Sequence, residues 1–213
     1  MRAISWNPSQ SIHQIKRKTK NSSHPAEAEE VPGSDAQILS LLGQPEGYDR
    51  GFRLLVQQYR ERLYSHVRRM TGNHQDADDV LQNSFLKAYR NIDRFEKKSK
   101  LYTWLYRIAT NEALTFLEKR NRKATTSIDD EEAPLHKRIT ANAGVDSERA
   151  ENILAHALLT LPAKQKAVFN LRYYEEMSYA DMAEALQTSQ GALKASYHHA
   201  VKKVEQYVRE NAE

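Results

Sequence analysis

The sequence predicts an all-α fold of two small helical domains joined by a flexible linker, and three observations lead there. Apolar residues recur every three or four positions through most of the chain, the spacing of one buried helix face. No stretch alternates apolar and polar residues as a half-buried strand would. Glycine and proline number only 7 and 6 in 213 residues, too few for the many turns of an all-β protein.

Residues 1–33 lack helical periodicity and are read as a disordered extension. Met1 to Lys20 carries five Lys or Arg and no acid, but no apolar core follows, so it is not a signal peptide. A basic arm touching DNA phosphates is the other reading of this stretch.

Residues 34–123 form the first domain. Ser34 caps a short helix carrying Ile38, Leu41 and Leu42, which stops at Gly43. Phe52, Leu55, Val56, Tyr59, Leu63, Val67 and Met70 line one face of a long helix ending at Thr71-Gly72. Asn73 caps the next helix, with Asp76 at the capping-box spacing, and that helix runs to about Arg90. A charged loop, Asp93 to Lys100, leads into a fourth helix from about Tyr102 to Arg120.

Residues 124–146 hold Thr125-Thr126-Ser127, the acidic run Asp129 to Glu132, Pro134 and Gly144, and read as the linker. Residues 147–213 form the second domain. Ile153, Leu154, Ala157 and Leu158 mark its first helix, and Leu161-Pro162 opens the second, which buries Val168 and Leu171. Ser178, with Asp181 three residues on, caps a third helix ending at Leu186. Gln187-Thr188-Ser189 turn the chain into a long helix from Gln190 to about Val208.

Composition excludes several functions. With no cysteine there is no disulfide framework, zinc ribbon or thiol catalysis, and the chain suits a reducing, cytoplasmic location. No apolar run reaches the length of a membrane span, so no membrane insertion is expected. There is no HExxH, no GxSxG and no phosphate-binding glycine loop, so no enzyme, cofactor or metal site is expected. The net charge of +4 permits a nucleic-acid partner.

The last two helices, joined by a short turn, have the form of a helix-turn-helix. Ala183 allows their close approach, and Leu186 and Leu193 pin them together. Leu193, Tyr197, Ala200, Val201, Val204 and Val208 make the core stripe of the final helix. Gly191, Lys194, Ala195, His198 and Lys202 fall on another face, and with Gln190 and His199 they are the candidate contacts to a major groove. A helical hairpin with an ordinary solvated face is the plainer alternative. His198 and His199 point about 100° apart on a helix, which does not suit a shared metal.

The first domain is more specific. In NHQDADDVLQNSFLKAYRNI, residues 73–92, Ala77, Leu81, Phe85 and Ala88 make a core stripe. Asp79, Gln82, Asn83 and Leu86 make a different face, where a leucine among acids and amides points to a partner helix; a stray exposed leucine is the alternative. In FEKKSKLYTWLYRIATN, residues 95–111, and the turns that follow, Leu105, Ile108, Ala109, Ala113, Phe116 and Leu117 face the core. Trp104, Arg107 and Asn111 share another face, preceded by Phe95, Lys97, Lys98, Lys100 and Tyr102. Aromatic rings among cations suit unpaired DNA, because rings stack on bases while lysines meet phosphates; simple core filling is the competing role. Lys119, Arg120, Arg122 and Lys123 extend the positive surface.

DADDVLQNSFLKAYRNIDRF followed by TWLYRIATNEALTFLEKRNR resembles region 2 of the extracytoplasmic-function sigma factors, in the sigma-70 family. LPAKQKAVFNLRYYEEMSYADMAEALQTSQGALKASYHHAVKKVEQ resembles their region 4. The resemblance spans about residues 35–123 and 147–208. It implies an RNA polymerase sigma factor that recognises promoters and starts transcription, with no catalytic step and no cofactor of its own. It implies that Asp76, Asp79, Gln82, Asn83 and Phe85 grip the clamp helices of the largest subunit of bacterial core RNA polymerase. Phe95, Lys97, Lys98, Tyr102, Trp104, Arg107 and Asn111 would melt the minus-ten element and hold a flipped base, and Lys194, Ala195, His198 and His199 would read the minus-35 element. The implied partners are core polymerase, promoter DNA both duplex and single-stranded, and the anti-sigma factor that the family often has.

Two positions depart from the family. Asn83 stands where glutamate is usual, and GALKASYHHAVKK replaces a recognition helix that usually carries several arginines, so bidentate arginine forks to guanine or phosphate are largely missing. The rival reading is a dimeric helix-turn-helix repressor, which the aromatic and cationic stretch of the first domain disfavours.

Overall fold

The computed structural model describes residues 34–95, 99–126 and 146–211. The expectations for the N-terminal extension, for most of the linker and for Lys97 and Lys98 therefore lie outside the described residues. Within them the chain forms eight α-helices and two short 3-10 turns, with no strand.

Helix α1 (Asp35–Leu42) begins where Ser34 accepts the Gln37 amide at 3.3 Å. A 3-10 turn, Pro45–Gly47, leads into α2 (Tyr48–Thr71). A β-carbon at Gly47 would stand 2.7 Å from the Leu41 carbonyl oxygen, and one at Gly51 2.9 Å from the Leu41 β-carbon. Two glycines thus let α1 fold back against α2. Gly72 ends α2 in the left-handed region, φ 94°, its amide on the Arg68 carbonyl at 3.0 Å. Asn73 accepts the Asp76 amide at 2.8 Å and starts α3 (His74–Asn91). Helix α4 (Leu101–Thr126) begins one residue earlier and runs six residues further than its apolar pattern suggests.

These four helices enclose Ile38, Leu55, Leu63, Met70, Ala77, Leu81, Leu105, Ala109 and Leu117. Five residues of the expected apolar faces, Phe52 and Val56 on α2, Phe85 on α3 and Ile108 and Phe116 on α4, are only half-buried. Helix α3 packs against both α2 and α4, so its buried arc centres on Val80, Leu81 and Ser84 rather than on Phe85. The Ser84 hydroxyl is satisfied within the helix by the Val80 carbonyl at 2.6 Å. Tyr106, which no periodicity singled out, is wholly buried.

The second domain comprises α5 (Asp146–Thr160), α6 (Ala163–Tyr173), α7 (Tyr179–Leu186) and α8 (Gln190–Asn211). Pro162 occupies the N-cap of α6, and Ser178 caps α7 by accepting the Asp181 amide at 3.1 Å. Gln187 turns the chain towards α8 with φ 49°. Leu154, Leu158, Phe169, Tyr173, Ala200, Val204 and Val208 make its own core.

The two domains also pack on each other. Helices α6 and α7 lie on α2 and α4, and Ala167, Val168, Leu171, Met177, Met182 and Leu193 join the first domain's core in one apolar cluster. Lys166 is carried into this junction. It is 5% exposed, with its ammonium 3.5 Å from the Met70 carbonyl. Burial, and secondarily the Arg120 cation, lower its pKa from 10.5 to about 8.

A pH dependence of docking follows. The docked domains hold neutral Lys166 better than charged Lys166. Below about pH 8 docking carries the full penalty, and as pH rises from about 8 towards 10.5 the penalty is relieved and docking tightens. Lys166→Met should remove this dependence and keep the domains packed at neutral pH. Small-angle scattering over roughly pH 7 to 10 measures it; parent and variant profiles that are both flat would contradict the assignment.

Candidate nucleic-acid interface

Three surfaces carry the residues singled out above. On α3, Asp79, Gln82 and Asn83 are exposed, and Leu86 is 47% exposed beside Tyr89 at 40%. The Tyr89 ring meets Tyr48 and Phe52 edge-on at 5.2 and 4.9 Å, so the apolar strip continues onto α2. Asp76 and Phe85 sit differently, both half-buried. The Asp76 carboxylate accepts from Arg120 at 2.8 Å and from the Asn73 side-chain amide at 2.6 Å. Arg120 also donates to the Thr71 carbonyl at 3.2 Å. Asp76 therefore ties the start of α3 to the far end of α4 rather than facing outward.

The second surface is the loop before α4 and the first turns of that helix. Phe95 is buried with its ring 5.4 Å from Trp104. Tyr102, Trp104 and Arg107 are half-buried and Asn111 is exposed. The spacing of three and seven puts Trp104, Arg107 and Asn111 on one face of α4, and a Lys87–Glu112 ion pair at 2.6 Å lies beside it.

The third surface is the first half of α8. Gln190, Gly191, Lys194, Ala195, His198, His199 and Lys202 are all exposed. Ser189 accepts the Ala192 amide at 3.2 Å and caps the helix. Nothing lies within 4 Å of a β-carbon built at Gly191, so a groove can approach this turn closely. The Lys194 ammonium lies 5.7 Å over the Tyr179 ring, which steadies a long side chain from the neighbouring helix. Among the described residues no cluster of histidine and carboxylate ligands could hold a metal.

A fourth set of polar residues, missed from the sequence, joins the domains. The Glu175 side chain is 7% exposed and lies 2.7 Å from Arg69 and 3.7 Å from Arg62. The buried Tyr106 hydroxyl donates to the same carboxylate. Arg69 in turn stacks on the Tyr174 ring at 4.1 Å. Burial raises the Tyr106 phenol well above its ordinary value, so it remains a donor. His66 beneath them bonds Thr110 at 3.0 Å; burial, and then Arg69, depress it to about 3, so the imidazole is neutral. Asp181 forms a second link, with the Tyr102 hydroxyl at 3.1 Å and Lys100 at 3.3 Å. Burial would raise the Asp181 carboxyl, but hydrogen bonds from Ser178, Tyr102 and Lys100 outweigh it and hold the group below its ordinary range.

Comparison with known proteins bears on what these surfaces serve. The family model for sigma-70 region 2 matches residues 55–123 and that for sigma-70 region 4 matches residues 151–204. The chain is 34% identical over 163 residues to the ECF RNA polymerase sigma factor SigW of Bacillus subtilis, covering 72% of this chain and 86% of the relative. The chain belongs to the extracytoplasmic-function RNA polymerase sigma factors. The ECF sigma-E factor of Haemophilus influenzae is 32% identical over 172 residues, 77% of this chain and 90% of its own length. Among solved structures, the sigma factor RpoE of Bartonella quintana, in complex with the anti-sigma factor NepR, matches with a TM-score of 0.60 at 25% identity, covering 74% of this chain and 96% of that one. CnrH, in complex with the cytosolic domain of CnrY, shares the fold with a TM-score of 0.58 at 22% identity, over 83% of this chain and 96% of that one. As a sigma factor the chain serves RNA polymerase in transcription initiation and carries out no chemical step of its own. Among the described residues no helix is long and apolar enough to cross a membrane.

The α3 geometry separates two kinds of acid. Asp79→Ala with Gln82→Ala should weaken binding to core polymerase while circular dichroism stays unchanged, because neither side chain is buried. Asp76→Ala should instead cost about 1–2 kcal/mol of folding stability, read by urea unfolding, because it unpairs Arg120. Unchanged core affinity in the correctly folded Asp79/Gln82 variant would contradict the assignment of this face.

Proposed function

We propose that this sigma factor divides promoter recognition between its two domains, region 2 at residues 34–123 and region 4 at 147–213. The α3 face of Asp79, Gln82, Asn83 and Phe85 grips the clamp helices of the largest polymerase subunit, with Asp76 holding the start of that helix in place. The loop and first turns of α4 open the minus-ten element and hold the displaced strand. The α8 face enters the major groove at the minus-35 element, where Lys194 anchors a phosphate and His198 meets a base edge. With few arginines on that face, base discrimination at minus-35 is weak and duplex contact depends on polymerase holding both ends together. The site of action is the cytoplasm, where polymerase and promoter are found. The anti-sigma factor bound to the Bartonella relative supports a similar protein partner for this chain.

The observation that carries the reading is the shared face of Trp104, Arg107 and Asn111 beside the Phe95–Trp104 ring pair. A half-exposed ring offers a stacking platform worth roughly 1–3 kcal/mol per base. An exposed asparagine can both donate to and accept from a base edge.

Asn111→Ala should therefore reduce discrimination among bases more than overall affinity. Lys97→Ala with Lys98→Ala should weaken binding to all sequences and flatten its salt dependence. Fluorescence anisotropy of holoenzyme on single-stranded minus-ten oligonucleotides across a salt series tests both. If neither change moves single-strand binding while duplex minus-35 binding stays normal, the strand-opening role is wrong.

A further inference from the structure

We propose that in the free chain region 4 masks the strand-binding end of α4, with the Asp181 carboxylate standing where a DNA phosphate would sit on Lys100 and Tyr102, and with Glu175 as the latch. The inference rests on the strand-binding role proposed above for Tyr102 and its neighbours.

Two geometric facts carry it. The first is the identity of the groups that meet. Asp181 lies on α7, the first helix of the helix-turn-helix in region 4, yet its Oδ2 takes the Tyr102 hydroxyl at 3.1 Å and the Lys100 ammonium at 3.3 Å. A cation and a phenol at the mouth of a strand-binding surface are the groups that a phosphate oxygen would use. A carboxylate placed on them competes for the same donors.

The second fact is distance. Tyr102 touches Asp181, and two residues away the Tyr179 ring carries the Lys194 ammonium at 5.7 Å. Counting the helix rise from Tyr102 to Asn111 and from Lys194 to Lys202 and the full reach of the side chains between them, the minus-ten and minus-35 residues are then separated by about 60 Å at most. The two promoter elements are about 25 base pairs apart, or roughly 85 Å along the duplex at 3.4 Å per pair. The docked arrangement cannot hold both. Residues 127–145 between α4 and α5 can extend to roughly 65 Å, which allows the domains to separate.

Masking is one-sided. All the minus-35 residues on α8 are exposed while docked, and so are Asp79, Gln82 and Asn83 on α3. Region 4 packs on α2 and α4, so polymerase can seat on α3 of the closed chain first. Glu175 is the latch because Arg69, Arg62 and Tyr106 of region 2 all converge on one carboxylate of region 4. Buried ion pairs nearly cancel their own desolvation, so such a latch holds in isolation and yields when polymerase and DNA compete. Removing its charge would leave Arg69 buried without a counter-ion only in the closed form, which favours opening.

The test uses the full-length chain, free and as holoenzyme, with a labelled single-stranded minus-ten oligonucleotide. Glu175→Gln should raise the free chain's affinity by roughly tenfold or more, since apparent affinity scales with the open fraction. Adding Lys100→Ala in that background should reverse most of the gain, while holoenzyme transcription of the single variant stays normal. The chain has no cysteine, so Arg62→Cys with Glu175→Cys can be joined by a reducible crosslinker. The joined form should lose strand binding and regain it on reduction, which keeps the test valid if Glu175→Gln folds poorly. Equal binding by the parent, the Gln variant and the crosslinked form would overturn the mask. So would holoenzyme binding the strand while every free form, latched or unlatched, does not. Failure of the holoenzyme to bind the strand would overturn the strand-binding role itself.

Discussion

A carboxylate removed almost completely from water must be neutralised where it lies, and Glu175 sets that requirement for this molecule. Its charge is met by Arg69 and Arg62 from α2 and by the phenol of Tyr106 from α4. All three partners come from the other domain. The backbone turns at Glu176, φ 54°, immediately after the carboxylate, and returns Met177 to the Leu171 carbonyl at 3.0 Å. That turn aims Glu175 inward and places α7 against α4. The placement of α7 and α8 relative to α4 therefore leans on this ionic contact and the tyrosine beneath it, together with the Asp181 link to Tyr102 and Lys100.

The apolar side of the junction explains why so costly a contact is retained. Each domain is a bundle of four helices, and small bundles leave part of their apolar surface unburied. Ala167, Val168, Leu171, Met177 and Met182 are covered by region 2 rather than by region 4 alone. Docking shields them when polymerase is absent. On a promoter the same surface must be released, and the exchange is feasible because charged Lys166 and the Glu175 pair keep the docked state from being strongly favoured. Stability and readiness to open are set by the same few side chains.

Much of the fold was legible in the sequence because it rests on short-range chemistry. Ser34, Asn73 and Ser178 cap helices through amides three residues away, and Gly72 has the backbone freedom that the end of α2 requires. The exposed α8 positions were legible too, since the core stripe of that helix left them no other place. What was not legible depends on contacts across the fold. Phe85 and Ser84 exchange places because α3 packs between two helices, which periodicity along α3 alone cannot reveal. Asp76 has the same spacing signal whether it faces polymerase or Arg120, 44 positions away. Arg69 and Glu175 are 106 positions apart, and nothing local marks either as the other's partner. Helix α4 outlasts its apolar pattern because Asn121, Arg122 and Lys123 continue the helix without a core to contact.

The most direct measurement is the distance between the two domains before and after promoter binding. Arg60 on α2 and Glu184 on α7 are both exposed, and in a cysteine-free chain each can be changed to cysteine and labelled for energy transfer. Transfer should be efficient in the free protein, remain so when duplex minus-35 DNA alone is added, and fall sharply in the open complex with core polymerase and a full promoter. Equal transfer in the free protein and in a transcriptionally active open complex would contradict the docked arrangement as the state from which initiation begins.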